Sequence, residues 1–232
     1  MKIVLFSAYL LGAIVVSTST QASTVVAYLP GNPALNAGAT PTVEGTGVTG
    51  NDLTRGSGLV QNVGGDFNSR DWTVGGDAAT ALSNNDFLLW GFTSILPYNL
   101  TTLDIRYDRS DLGPTNMEIA INVNNAGFTT IFSDASVSAS SEEHAGIDLS
   151  AYTGVTSAVF RLVAFGATLS STGANLGTFD IEHTASFDGA NGLVVSGTAI
   201  TPIPAALPLF ASGVGALGLL GWRRKRQAKL AA

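Results

Sequence analysis

The segment MEIAINV, residues 117 to 123, alternates apolar side chains with polar or small ones over its whole length. A period of two residues is that of a β-strand, whose successive side chains point to opposite faces of a sheet. We therefore predict a strand in which Ile119 and Ile121 face the core and Asn122 faces outward. No helical period of 3.6 residues is sustained between residues 23 and 200.

The same kind of pattern recurs on both sides of this segment. Leu103, Ile105 and Tyr107 share one face of a second alternating run. Seven further candidate strands are Thr24–Leu29, Phe67–Val74, Asp86–Thr93, Phe128–Phe132, Ala158–Phe165, Leu176–His183 and Leu193–Ile200. Clusters of Gly, Asn, Asp and Ser separate the runs, as is typical of turns. We predict an all-β domain over residues 23–200, an antiparallel β-sandwich that is jelly-roll-like.

Charge is distributed unevenly over the 232 residues. All seventeen acidic residues lie between residues 23 and 200, together with five arginines and no lysine, which gives this region a formal charge of −12. Such a body repels phosphate backbones and has no basic stripe, so nucleic acid is excluded as a partner. The absence of cysteine excludes disulfide bonds, thiolate metal sites and thiol nucleophiles.

The N-terminus has the layout of a secretory signal peptide. Lys2 precedes an apolar run over residues 3–16, and a polar stretch ending in the small residue Ala22 follows. We predict cleavage after Ala22, which removes residues 1–22. An uncleaved membrane anchor is the alternative, but the run is shorter than the roughly 20 apolar residues that a span needs.

Near the C-terminus, residues 205–222 contain no charged side chain. Eighteen residues make a helix of about 27 Å, close to the thickness of the hydrocarbon layer, so we predict a single transmembrane helix here. Four basic residues follow at once: Arg223, Arg224, Lys225 and Arg226. A basic cluster beside a span stays in the cytoplasm, and the body is therefore expected outside the cytoplasmic membrane.

A proline motif lies directly before the predicted helix and consists of Thr201, Pro202, Ile203, Pro204 and Ala205. With the apolar span and the basic tail, residues 201–232 resemble the PEP-CTERM sorting signal in its VPLPA variant. The resemblance implies that the chain is a substrate of an exosortase, a membrane-embedded processing enzyme, and that the membrane holds the precursor. It also implies a mature protein at the cell surface or in the extracellular matrix.

Parts of the body are similar to the jelly-roll domains that often precede this signal. The similar segments are residues 53–59, 67–72, 109–115, 160–162 and 165–167. This resemblance implies a jelly-roll fold and a location at the cell exterior. It implies no catalytic residue.

Little in the body indicates catalysis. The chain has no H-E-x-x-H, G-x-S-x-G, P-loop or G-x-G-x-x-G motif. His144 follows two glutamates, and we interpret this stretch as a solvated turn in preference to a metal site. Alternation puts Asp180 and Glu182 on one strand face and His183 on the other, which suits an exposed edge rather than a shared ligand set. We predict that the protein is not an enzyme.

Calcium is the metal ion that this composition favours, because carboxylates and turn carbonyls are its usual ligands. Asp52, Asp66, Asp71 and Asp77 are candidate donors in loops. Their spacing fits no EF-hand loop, so we assign no metal ligands. Because the two histidines lie far apart in sequence, we expect calcium rather than zinc if an ion binds. No organic cofactor is predicted.

Two tryptophans bear on carbohydrate binding. Trp72 lies beside charged residues and is a candidate glycan contact, although a core position is the favoured interpretation, and Trp90 lies in an apolar run that predicts a core position. The preferred function is a non-enzymatic exported protein of the envelope or extracellular matrix. The alternative is a carbohydrate-binding module for surface polysaccharide, and a jelly-roll polysaccharide hydrolase or lyase has the least support.

Overall fold

A computed structural model describes residues 22–30, 39–62, 66–187, 191–201 and 218. Within these ranges the chain forms thirteen strands and one short helix. They are β1 Ser23–Tyr28, β2 Val43–Glu44, β3 Val48–Arg55, β4 Val60–Gln61, β5 Phe67–Arg70, β6 Thr73–Val74, α1 Ala78–Asn84, β7 Phe87–Arg109, β8 Asn116–Val123, β9 Phe128–Asp134, β10 Glu142–Asp148, β11 Val155–Ala167, β12 Thr178–Ile181 and β13 Leu193–Ala199. The predicted all-β body is confirmed.

The long strand β7 joins two groups of strands. Its first part, through Ser94, pairs with β3 on one side and with β11 on the other, and the order continues through β8 to β9. Its second part, from Tyr98, pairs with β13, β10 and β12, and β13 continues to β1 and β2. These pairings are antiparallel, whereas β6 pairs in parallel with the end of β11. A strand shared by two groups is consistent with a β-sandwich.

The two groups of strands enclose one main apolar core. Ile119 and Ile121 are fully buried, and Asn122 lies half-buried on the opposite face of β8, as the alternation predicts. Aromatic rings dominate the centre of the core, where Trp90 stacks on Phe160 with 5.4 Å between ring centroids. The strands therefore leave their other faces available for recognition.

The predicted targeting segments fall almost wholly outside the described residues. This holds for the signal peptide before Ala22, for Pro202, Ile203, Pro204 and Ala205 of the sorting motif, and for the basic cluster. Thr201 is described and is exposed. Among the described residues no helix combines the length and the apolar character that crossing a membrane requires. The predicted span over 205–222 lies outside this search except for Gly218.

Candidate functional site

The outward face of the sheet β3-β7-β11-β8-β9 carries a row of side chains that crosses all five strands. Strand register places these residues side by side because facing residues of paired strands share a face. From one edge to the other, the row is Asn51, Gly91, Val159, Asn122 and Phe128. Gly91 has no side chain, and the backbone of Ala158 lies where its Cβ would be.

A second row lies next to the first and completes a shallow groove. It consists of Thr54, Leu89, Arg161, Ala120 and Thr130. Two depressions follow these rows, one of about 290 Å³ and one of about 350 Å³, and they share Leu89 and Val159. We call this surface the outer-face groove. Asp52 and Thr54 line one end, and Phe128 and Arg161 line the other.

Arg161 is the most distinctive residue of the outer-face groove. Its guanidinium carbon lies 3.9 Å from the centroid of the Phe128 ring, in cation–π geometry. Its Nε atom is buried and has no hydrogen-bond partner, and no carboxylate within the described ranges forms an ion pair with it. Burial lowers the pKa of Arg161. A buried donor without an acceptor costs free energy.

The residues of the groove suit an uncharged, hydroxyl-rich ligand. Phe128 is 39% exposed and offers one apolar ring. Arg161 supplies several N–H donors, and the amides of Asn51 and Asn122 each supply both donors and acceptors. Binding sites for small ligands commonly combine such an apolar surface with a few polar groups that fix orientation.

The structure places Trp72 in the core and therefore removes it as a candidate glycan contact. Its ring is fully buried and meets Phe179 edge to face, with 5.5 Å between centroids. Its Nε1 donates to the carbonyl oxygen of Ser69 at 2.8 Å, so the polar atom is satisfied within the protein. Asp71, with φ of 69°, interrupts the predicted strand between β5 and β6, and Trp72 follows it. Trp90 is buried, as predicted.

A pair of carboxyl groups lies at the end of β7, where Asp180 of β12 faces Asp108. Burial, together with the smaller effect of the hydrogen bond with Asp108, raises the pKa of Asp180 to about 9. Burial also raises the pKa of Asp108. The two carboxyl groups are in direct hydrogen-bond contact, whereas the catalytic carboxyls of glycosidases stand about 5 to 9.5 Å apart. This geometry does not match a glycosidase pair.

Asp66 and Glu182 extend this pair into an acidic cluster. Carboxylate oxygens of Asp66, Asp180 and Glu182 lie within 4.8 Å of one another. Glu182 accepts a hydrogen bond from Nε of Arg106 at 2.9 Å, and Nδ1 of His183 lies 2.8 Å from Oδ1 of Asp66. His183 contacts this cluster through Asp66, which lies outside the alternating run, and is not one of the three grouped donors.

The other predicted acidic donors have separate roles. Asp77 caps α1, since its Oδ1 accepts from the backbone N of Thr80 at 2.8 Å. Asp52 lies on β3 and not in a loop, and Asp71 joins β5 to β6. Only Asp66, of the four, joins a group of carboxylates that could hold a cation within the described part of the chain.

His144 is placed differently from its prediction as part of a solvated turn. It lies on β10, which pairs with β7, and its ring stacks on Tyr107 with 5.4 Å between centroids. One nitrogen of His144 and carboxylate oxygens of Asp134 and Glu142 lie within 4.8 Å of one another. Sequence patterns missed this group because strongly polar residues occupy both faces of β10.

Comparison with known proteins gives no family assignment. No family model matches the chain, and no curated protein matches it significantly. Among solved structures, a mutant of the family 29 carbohydrate-binding module CBM29-2 complexed with mannohexaose is similar over 76% of this chain and 92% of that chain. The sequence identity is 13% and the TM-score is 0.36. A likeness this low defines neither the fold nor the ligand of this protein.

Proposed function

We propose that the body is a non-catalytic, jelly-roll-like β-sandwich that binds a polysaccharide along the outer-face groove. The observation that carries this proposal is Arg161, which lines the groove without an ion-pair partner among the described residues and places its guanidinium group over the ring of Phe128. A sugar chain matches this surface because it offers both hydrogen-bond acceptors and apolar C–H faces. Its hydroxyl oxygens accept from Arg161, and its C–H faces pack on apolar rings.

The polysaccharide is expected to be neutral. Although Arg161 alone would attract an anion, the region between residues 23 and 200 has a formal charge of −12, which repels a polyanion over its whole length. Hydroxyl groups accept hydrogen bonds without that repulsion. The rows of the groove run across five strands, so they present contacts to several successive sugar units rather than to a single ring.

Binding to soluble neutral glucans, mannans and xylans tests the proposal, with affinity electrophoresis as the measurement. We expect Phe128→Ala and Arg161→Gln each to weaken binding at least tenfold, which corresponds to about 1.4 kcal/mol. Leu169→Ala and Arg70→Gln are matched controls, because Leu169 is 49% exposed and neither residue lines the groove. Thermal unfolding verifies that each variant folds.

Two outcomes would overturn the glycan proposal. One is the absence of retardation by every polysaccharide at concentrations of several grams per litre. The other is binding that Phe128→Ala and Arg161→Gln leave unchanged, which would place the ligand elsewhere. Release of shorter or unsaturated sugars during incubation would instead favour a hydrolase or lyase, the reading with the least support given the direct Asp108–Asp180 contact.

Delivery to the cell exterior is the second part of the proposal. The signal-peptide layout of residues 1–22 and the sorting signal of residues 201–232 support export and processing by an exosortase-type enzyme. In this scheme the precursor is anchored in the membrane with its body outside. The mature protein then acts at the cell surface or in the extracellular matrix, where polysaccharides are present.

A further inference from the structure

We propose that Asp134, Glu142 and His144 form a binding site for a first-row transition-metal ion, with Zn²⁺ as the best-matched ion. The three donor atoms lie within 4.8 Å of one another. Glu142 and His144 are two residues apart on β10, so both side chains point to the same face. Asp134, the last residue of β9, brings the third donor to that face.

The imidazole of His144 is held with one nitrogen available. Its ring stacks on Tyr107 at an interplanar angle of 11° and packs against Phe132, with 4.8 Å between centroids. The buried Nε2 atom has no hydrogen-bond partner, and it lies 3.6 Å from Oε2 of Glu142. That distance is too long for a hydrogen bond but fits two ligands of one ion, since tetrahedral zinc ligands are about 3.4 Å apart.

Hydrogen bonds from neighbouring groups orient both carboxylates. Oδ2 of Asp134 accepts from the hydroxyl of Tyr107 at 2.7 Å, and Oδ1 accepts from the backbone N of Ser136 at 2.8 Å. Oε1 of Glu142 accepts from the backbone N of Ser138 at 3.1 Å. Oε2 of Glu142 lies on the side of His144, 3.6 Å from its Nε2. Such outer contacts around metal ligands fix their positions and raise metal affinity.

The local charge also favours a cation. No arginine or lysine within the described ranges forms an ion pair with Asp134 or Glu142. A divalent ion would neutralise this pair of negative charges.

The donor set selects the class of ion. Calcium takes six to eight oxygen ligands, whereas an imidazole nitrogen with two carboxylate oxygens suits zinc and related ions. Three protein donors leave a fourth position for water. The composition of the chain favours calcium. At this place, however, one histidine lies close to two carboxylates, so calcium is not the ion expected here.

Proton NMR of the full chain, prepared without a histidine tag, tests this site directly. The chain contains two histidines, so His144 and His183 give two sets of imidazole signals. We expect stoichiometric ZnCl₂ to shift or broaden the His144 signals and to leave those of His183 unchanged. Calorimetry should give one zinc per chain, and excess CaCl₂ should not displace it.

Variants separate this site from the acidic cluster and from the glycan groove. His144→Gln and Asp134→Asn should each weaken zinc binding at least tenfold, whereas His183→Gln should leave it unchanged. Arg161→Gln should bind zinc like the parent chain, so the glycan proposal and the zinc proposal can fail separately. Zinc signals confined to His183, equal binding by His144→Gln, or no change in the His144 signals at 1 mM zinc would each overturn the assignment.

Discussion

At the scale of single residues, Asp180 and Arg161 respond to burial in different ways. Asp180 lies among other carboxyl groups, and burial together with its neighbours favours its neutral form, with a pKa of about 9. Arg161 keeps its charge on the outer sheet face, where Phe128 covers the guanidinium but no acceptor meets Nε. Asp180 can avoid the cost of a buried charge by holding a proton, whereas Nε of Arg161 stays buried without a partner.

Asp180 should make stability depend on pH. Its folded-state pKa of about 9 lies above the value of about 3.9 expected in the unfolded chain. Its contribution is therefore fully present below about pH 4 and is lost as the pH rises through about 9. Asp180→Asn keeps a hydrogen-bond donor toward Asp108 and removes this titration. We expect its urea midpoint to fall less between pH 5 and pH 8 than that of the parent chain.

The exposed Asp111 provides the control for this measurement. Asp111→Asn removes one carboxylate and should retain the pH dependence of the parent chain. If Asp180→Asn and the parent chain lose stability in parallel between pH 5 and pH 8, Asp180 does not hold a proton in the folded state.

At the scale of elements, the turn between β8 and β9 shows how side chains connect strands that are distant in sequence. Asn124 and Asn125 have φ of 50° and 62°, and the backbone N of Ala126 donates to the carbonyl of Val123 at 3.0 Å. Positive φ at both central residues is typical of a type I′ hairpin turn. Oδ1 of Asn124 also accepts from the backbone N atoms of Thr156 and Ser157, which binds the turn to β11.

The turn closes the hairpin and also contacts β11 through the side chain of Asn124. Glycine substitutions separate these two roles, because glycine also tolerates positive φ. Asn124→Gly should destabilise the fold by about 1 to 2 kcal/mol, since it removes the acceptor shared by two backbone donors of β11. Asn125→Gly should change stability by less than about 0.5 kcal/mol, because its side chain has no such contact. Chemical denaturation measures both. Equal losses in the two variants would contradict this role of Asn124.

Alternation predicted the strands whose two faces differ in polarity and missed those whose faces do not. β8 was predicted because its apolar side chains enter the core at a regular spacing. β10 was missed because it is polar on both faces. β3 was missed because Gly50, Asn51 and Asp52, which are typical of turns, lie between its two buried residues. The helix α1, with seven residues, is too short to show a period. The predicted strands 86–93 and 103–107 are parts of one strand, β7.

At the scale of the whole molecule, the candidate sites depend on register between strands that are distant in sequence. Asn51 and Phe128 lie 77 positions apart in the chain, yet they occupy one row of the outer-face groove. His144 meets Asp134 because β9 and β10 bring them together around Tyr107. No spacing within the sequence indicates that these residues lie close together in the fold. The sequence could therefore suggest a polysaccharide or a cation as ligand, but it could not select the residues that bind it.

Processing at the C-terminus is the prediction that concerns the molecule as a whole. The basic cluster at residues 223–226 should hold the tail in the cytoplasm while the apolar run from Ala205 spans the membrane. We expect the proline motif to emerge on the outer side, where Pro202 and Pro204 should disfavour a helix and leave the motif open to an exosortase. We expect mass spectrometry of the protein from its native host to find a mature chain that is cleaved near the proline motif and lacks the apolar run and the basic tail.

Replacing Pro202 and Pro204 by Ala should block this processing, because alanine lets the helix extend into the motif. The precursor would then accumulate in the membrane fraction with its C-terminal peptide intact. Thr201→Ala is the matched control, since it changes the same motif without removing a proline, and it should still be processed. An unmodified C-terminus in the parent chain, in a host with an active exosortase, would make the protein a permanent single-span membrane protein and refute this prediction.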